Sequence, residues 1–190
     1  MALLDMLGQQ LQGNTLTQIS QQLGTDEGTT AKAVSLALPM LVGGLARNAS
    51  TDQGAAALDQ ALTRDHDGSL LDAPHRAVAD PMAFGGGGIL GHIFGQRQAP
   101  VEQGVAKATG LDPQRAGKLL MILAPIVLGA LAKRAMNHGA AQNDPNQLND
   151  VLRQDAAHAQ QQAEAQGQKH VGGLLGKMLD MAYAPNLRNS

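Results

Sequence analysis

The stretch LTQISQQLGTDEGTTAKAVSLALPMLVGGLARNAS (residues 16–50) recurs later in the chain as EQGVAKATGLDPQRAGKLLMILAPIVLGALAKRAM (residues 102–136). The two stretches align without a gap at a constant shift of 86 residues, the separation of Pro39 from Pro125, and eight positions are identical. The identities include glycine, aspartate and proline, which fix backbone geometry and so carry more weight than shared alanine or leucine. The sequence therefore predicts two tandem copies of one helical unit.

Turn residues divide each copy into a shorter helix and a longer one. Gly24 and its counterpart Gly110 stand where a left-handed residue ends a helix. Asp26 and Asp112 follow two residues later, and aspartate is a favoured N-cap because its carboxylate accepts hydrogen bonds from the free N–H groups of the first turn. We therefore predict that both aspartates cap the long helices.

Each predicted long helix contains a proline followed four residues later by a glycine. Pro39 and Pro125 each remove one backbone hydrogen bond and are expected to kink the helix. Gly43 and Gly129 are expected to lie at contacts between helices, since a residue without a side chain lets another backbone approach closely. The alternative is that each long helix is two short helices broken at the proline.

A shorter apolar element occurs three times, as ALLDMLG (residues 2–8), GILGHIFG (88–95) and GLLGKML (173–179). Each places two apolar pairs about one helical turn apart, which is the spacing of a single buried face. The copies near the two ends have a long unit on one side only, so we expect an exposed apolar face there, through which at least one end packs against a second chain. The alternative is that the two ends fold back and meet within one chain. The candidate self-association residues are Leu3, Leu4, Leu7, Leu174, Leu175 and Leu179.

These patterns predict an all-α protein, packed as a bundle or a short repeat array with kinked long helices. Residues 1–87 would form the first repeat, and residues 88–190 the second repeat with a closing terminal helix, around one shared core. More polar helices are expected at residues 52–62 and from residue 144 onward. Residues 73–88 are expected to be irregular, and we interpret the glycines at 85–88 as a flexible linker.

Composition argues against several classes of function. The net charge of −2 and the pI near 6.3 are not typical of a nucleic-acid-binding protein, which usually carries a basic patch. The chain has no cysteine, no tryptophan, one tyrosine and two phenylalanines, so disulfides and thiolate chemistry are excluded. The first residues, MALLDMLGQQ, lack the basic and long apolar segments of a secretory signal. We therefore expect a cytoplasmic protein.

No motif predicts catalysis, a metal or a cofactor. Residues 86–91 match the glycine pattern of dinucleotide sites, but no strand precedes them, as that motif requires. Residues 65–72 (DHDGSLLD) resemble the middle of a calcium loop, but Thr63 and Pro74 occupy its first and last ligand positions. The six histidines are scattered. We expect no enzymatic activity, and no small-molecule substrate is evident.

The order of several segments resembles the bacterial domain-of-unknown-function family numbered 937. These segments are ALPMLVGGLARNA (37–49), ALTRDHDGSLLD (61–72), ILGHIFGQRQAPVEQGVAKATGLD (89–112) and KLLMILAPIVLGALAKR (118–134). The resemblance covers about Leu3 to about Leu179 and implies a bacterial helical protein without assigned activity or known site residues. Residues 73–83 depart from the simpler linker that the resemblance implies.

Two functions remain open from the sequence. In a repeat array each unit covers the face that its neighbour leaves open, and ends without polar caps can associate. We therefore expect a self-associating structural or scaffold module whose partner is itself, as a homo-oligomer. The alternative is a membrane-associating protein, although the apolar run of residues 119–132 would span only about 21 Å as a helix, short of the roughly 30 Å hydrocarbon core of a bilayer.

Overall fold

The computed structural model describes residues 3–64 and 69–137, together with the helical residues 150, 152–154, 156–158 and 161. In this part of the chain every regular element is helical and no strand occurs, so the predicted all-α class is confirmed there. The elements are α1 (Leu3–Gln10), α2 (Asn14–Leu23), α3 (Glu27–Ala49), α4 (Asp52–Arg64), α5 (Ser69–Asp72), α6 (His75–Ala79), α7 (Gly86–Phe94), a 3-10 helix (Gly95–Arg97), α8 (Gln98–Thr109) and α9 (Pro113–Asn137).

Corresponding residues shape the turns that precede the two long helices. Gly24 ends α2 and Gly110 ends α8, with left-handed φ angles of 63° and 81° that glycine adopts without steric cost. The Asp26 carboxylate accepts a 2.8 Å hydrogen bond from the Thr29 N–H at the start of α3. Asp112 accepts one of 2.9 Å from the N–H three residues after it, at the start of α9. Both turns thus have the form that the sequence indicates.

Each long helix continues through its internal proline. Pro39 lies inside α3, which has 23 residues, and Pro125 lies inside α9, which has 25 residues. The alternative of two short helices broken at the proline is therefore wrong. Because proline has no N–H, the carbonyl four residues before it loses its usual helical partner. In α9 that carbonyl belongs to Met121.

α9 is the central helix, and all the other helices from α1 to α8 pack against it. Burying one of its large side chains contributes roughly 1.5–3 kcal/mol by removing it from water. The same core includes side chains from α1 to α8, so both halves of the described chain share it. The predicted division between residues 87 and 88 falls inside α7. The largest fully buried side chains of α9 are Leu119, Leu120, Ile122, Leu123 and Ile126.

Two lysines of α9 join it to other helices. The Lys118 ammonium donates to the Gln22 backbone carbonyl at 2.7 Å and to its side-chain oxygen at 3.0 Å, near the end of α2. A lysine in this place satisfies a carbonyl that the helix end leaves open. Lys133 forms an ion pair with Asp72 at the end of α5. Both contacts lie at the surface and fix the positions of neighbouring helices.

Half of the segment expected to be irregular, residues 73–88, is helical, and residues 81–85 within it form turns. Helix α6 lies within it and packs on α2 and α9, and α7 begins at Gly86. The reason is burial, since the Ala77 and Val78 side chains are 0% and 1% exposed and tie the segment to the core. Residues 73–83, which depart from the linker implied by the family resemblance, therefore add a helix to the fold. The predicted polar helix at residues 52–62 is confirmed as α4.

Candidate functional site

The first copy of the short apolar element forms α1, which lies in the core. Leu3 and Leu7 are fully buried and Leu4 is 8% exposed, against α9 and α3 of the same chain. The expected exposed face for self-association is therefore wrong at this copy. Two apolar pairs one turn apart form one face, and the chain's own long helices cover it.

The second copy forms α7 and is held by a glycine of α3. A Cβ atom added at Gly44 would lie 2.5 Å from Cγ2 of Ile93 and 2.8 Å from Cε1 of Phe94. No side chain fits at Gly44 unless α7 moves away from α3. The third copy, with the predicted self-association residues Leu174, Leu175 and Leu179, lies outside the described residues.

A glycine of α7 brings its backbone against α9. A Cβ atom added at Gly86 would collide with the carbonyl oxygen of Met121 and would lie 2.9 Å from the carbonyl oxygen of Pro81. The Met121 carbonyl is the one that Pro125 leaves without its usual helical partner. The interpretation of the glycines at 85–88 as a flexible linker is therefore wrong, because Gly86 begins a helix and marks a close approach between two backbones.

The predicted packing residues are buried in the long helices. Gly43 lies within the buried stretch of α3, as does Pro39, and Pro125 is buried in α9. A Cβ atom added at Gly129 would lie 3.4 Å from Cβ of Leu70 and 3.5 Å from the backbone nitrogen of Leu71. Gly129 thus faces α5, a short helix that the sequence did not place there.

A cavity of about 490 Å³ lies where α3, α4 and α7 meet the turn before α7. This volume is within the range of about 300–1,000 Å³ typical of small-molecule sites. Its apolar walls come from separate elements, and Gly85 and Gly88 of the glycine run also line it. Sequence reasoning missed the cavity because its walls are far apart along the chain. The large apolar wall residues are Leu45, Leu58, Phe84, Ile89, Ile93 and Leu128.

Asn48 and His92 are the polar side chains that line the cavity, and both also line a second depression of about 500 Å³. The depression therefore adjoins the polar end of the cavity. The Asn48 side-chain amide donates a hydrogen bond to the His92 backbone carbonyl, which joins the end of α3 to the end of α7. The depression adds the polar side chains of Arg47, Thr51 and Gln53.

Arg47 brings a positive charge to this polar end. Burial, and then the like charge of Arg97, lower the pKa of the Arg47 guanidinium. In the described part of the chain no carboxylate lies within the 4.0 Å of an ion pair with Arg47. Elsewhere in the cavity lining, the Phe84 ring has the Arg76 guanidinium 5.3 Å from its centre, a cation–π contact that helps to hold the ring in place.

The described residues bring together no group of three or more side chains that could hold a metal ion. Asp65–Gly68, the centre of the stretch that resembles a calcium loop, lies outside the described residues. Ser69–Asp72 forms α5, and Asp72 pairs with Lys133. The cavity combines an apolar interior with an amide and a cation at one end, and these are groups that bind and orient a ligand.

Among the described residues, two helical segments are long and apolar enough to cross a membrane, α3 and residues 113–134 of α9. About 78% of the α3 window and 83% of the α9 window are buried inside the fold. Core helices of globular proteins meet the same length and composition criteria, so this observation is weak evidence for a membrane protein.

Comparison with known families gives one match. The family model described as "Bacterial protein of unknown function (DUF937)" matches residues 5–134. The matched range runs from α1 into the last turn of α9, and it includes every residue that lines the cavity. No curated protein and no solved structure matches the chain.

Proposed function

The chain belongs to the DUF937 family of bacterial proteins of unknown function, and we propose that it is a non-catalytic, self-associating structural or scaffold module. The family carries no assigned activity, so support for the proposal comes from the arrangement of the helices. We place the protein in the cytoplasm, in keeping with a chain that contains no cysteine.

In this proposal, α1–α3 and α7–α9 are two copies of one structural unit. Each has a short apolar helix, a helix ended by a left-handed glycine, and a long helix with an aspartate cap and an internal proline. Each short helix packs on both long helices, so α9 and α3 contact α1 as well as α7. This shared packing supports a closed pair of units within one chain.

The observation that carries self-association is that the sequence holds one more short element than a closed pair can accommodate. The short helices α1 and α7 already pack on the long helices α3 and α9, and residues 173–179 supply a third copy of the short element. This third copy follows the second long helix, so the packing site that suits it is the one that α1 occupies. Through Leu174, Leu175 and Leu179 it would fill the α1 position of a second chain, which gives a homo-oligomer.

The surface of the described residues supports association through the third copy of the short element rather than through an exposed apolar patch on that surface. Its one large hydrophobic side chain with high exposure is Met82, at 67%. A stable interface needs a larger apolar contact, and the third copy of the short element would provide it.

The test is to replace both Leu174 and Leu175 with Asp and to measure the mass in solution by light scattering across a concentration series. We expect the wild type to exceed the 19.7 kDa of one chain and the variant to return to that mass with its helical circular dichroism retained. Lys177→Asp is the matched control, since it changes a polar position of the same element. A wild type that stays monomeric at high concentration overturns the proposal.

The alternative function, membrane association, is supported by the two long apolar helices α3 and α9. Their burial means that the core would have to open before either could enter a bilayer. Co-sedimentation of the wild-type protein with anionic liposomes tests this alternative. Binding that persists at high salt would favour it over self-association in solution.

A further inference from the structure

The cavity between α3, α4 and α7 has an apolar interior, and a glycine leaves part of it open. Gly88 lines the cavity, and a Cβ atom added there would meet no other atom within 4 Å. Leu58 and Leu128 form parts of the wall and are 7% and 2% exposed. Removing an apolar chain from water into such a space is favourable in proportion to the area covered.

The polar end of the cavity has the opposite character. Asn48 lines both the cavity and the depression beside it, and the half-buried Arg47 lines that depression. No described carboxylate pairs with Arg47. A planar guanidinium matches the two oxygens of a carboxylate. The charge of Arg47 therefore complements an anion whose head group reaches the depression.

The apolar interior and the positive charge beside the polar end together indicate the class of ligand. A nucleotide or a sugar would need many hydrogen-bonding groups along its length, whereas the polar side chains that line this cavity are Asn48 and His92. A fully apolar ligand would leave Arg47 without a counter-charge. We propose that this cavity binds a single-chain fatty-acid anion, with its hydrocarbon chain beside Gly88 and its carboxylate toward Arg47. This site is independent of self-association, because the residues that line it belong to α3, α4, α7, α9 and the turn before α7. None of them belongs to the third copy of the short apolar element.

Calorimetric titration with laurate, below its micelle concentration, tests the proposal. We expect one laurate bound per chain. Gly88→Leu places a side chain in the open space and should weaken binding about tenfold or more, while leucine also favours the helix more than glycine does. Gly91→Leu is the matched control, because Gly91 is another open glycine of α7 that does not line the cavity.

The carboxylate assignment has its own test. Arg47→Met should weaken laurate binding about tenfold, the equivalent of one charge-assisted hydrogen bond, and should leave binding of uncharged 1-dodecanol unchanged. Arg115→Met, which removes the same charge far from the cavity, should leave laurate binding as in the wild type. Absence of laurate binding, or equal binding by the wild type and Gly88→Leu, overturns the site. Equal binding by the wild type and Arg47→Met overturns the assignment of the ligand as an anion held by Arg47.

Discussion

The stretches α1–α3 and α7–α9 each begin with a short apolar helix and end with a long helix, yet their short helices are held in different ways. α1 is held by buried leucines, and a Cβ atom added at its own glycine, Gly8, would meet no atom within 4 Å. α7 is held by buried side chains, two of which pack on Gly44 of α3, and also by the contact of the Gly86 backbone with the backbone of α9. Leucine packing tolerates small shifts, whereas contact between backbones does not. α1 is therefore the element that another apolar helix could displace more easily.

The largest effects are expected at the two fully buried leucines Leu90 and Leu7. Replacing either with alanine should cost about 2–5 kcal/mol in the free energy of unfolding, with the cost depending on how far the surroundings can close the space. We expect α1 to shift more readily than α7, which is fixed by a contact between backbones, so Leu90→Ala should lie near the upper end of this range and Leu7→Ala near the lower end. Urea unfolding followed by circular dichroism measures both. A larger loss of unfolding free energy for Leu7→Ala than for Leu90→Ala would contradict the view that α7 is held more rigidly than α1.

A pair of neighbouring glycines isolates the backbone contact of α7. Gly86→Ala should destabilise the fold by about 1–3 kcal/mol, because the added methyl group meets the carbonyl of Met121, which α9 holds in place. At Gly87 the nearest atom to an added Cβ is the Met82 sulfur at 3.7 Å, an ordinary contact. Gly87→Ala is thus the control, expected to be neutral or to gain up to about 1 kcal/mol from the better helix former. Equal urea midpoints for the two variants would show that the close approach does not hold α7.

The smallest effect concerns the caps of the long helices, where the two stretches also differ. Asp112 pairs with the Arg115 guanidinium at 3.1 Å, whereas Asp26 relies on hydrogen bonds from Thr29. The side-chain and backbone hydrogen bonds of Thr29 lower the pKa of the Asp26 carboxyl below its ordinary 3.8. Since the folded pKa is the lower one, the carboxylate stabilises the fold above pH 3.8 and loses that effect as the pH falls through the folded value.

Asp26→Asn tests this, because asparagine keeps a capping oxygen but does not titrate. We expect the wild type to melt slightly above the variant at neutral pH and to lose that advantage as the pH drops below 3.8. Thermal melts over a pH series measure the difference. A difference that does not change with pH would mean that the charge of Asp26 plays no part in the cap.

Local signals predicted the turns and long helices because everything they need lies within a few residues. A glycine followed two residues later by aspartate ends one helix and begins the next, and this was readable at Gly24 and Asp26. The continuity of α3 through Pro39 was also readable, since the apolar pattern does not stop at the proline.

Contacts between distant residues could not be read in the same way. Gly86 was interpreted as part of a linker because the Met121 carbonyl, which its backbone approaches, is 35 residues away in the sequence. That carbonyl lacks its usual helical hydrogen-bond donor because residue 125 of α9 is a proline. The burial of Leu3, Leu4 and Leu7 depends on α9, at the other end of the described chain. The cavity needs four elements and a turn at once, so no local pattern predicted it.

The scarcity of aromatic residues has a consequence for spectroscopy. The chain has two phenylalanines, and the fold separates their surroundings: the Phe84 ring lies on the cavity wall, and the Phe94 ring lies against Gly44 in the core. Fluorine-labelled phenylalanine would therefore give two resonances with different meanings. The Phe84 signal would respond to a guest in the cavity, and the Phe94 signal would respond to the spacing of α3 and α7. The same molecule thus carries separate reporters for occupancy and for the integrity of its core.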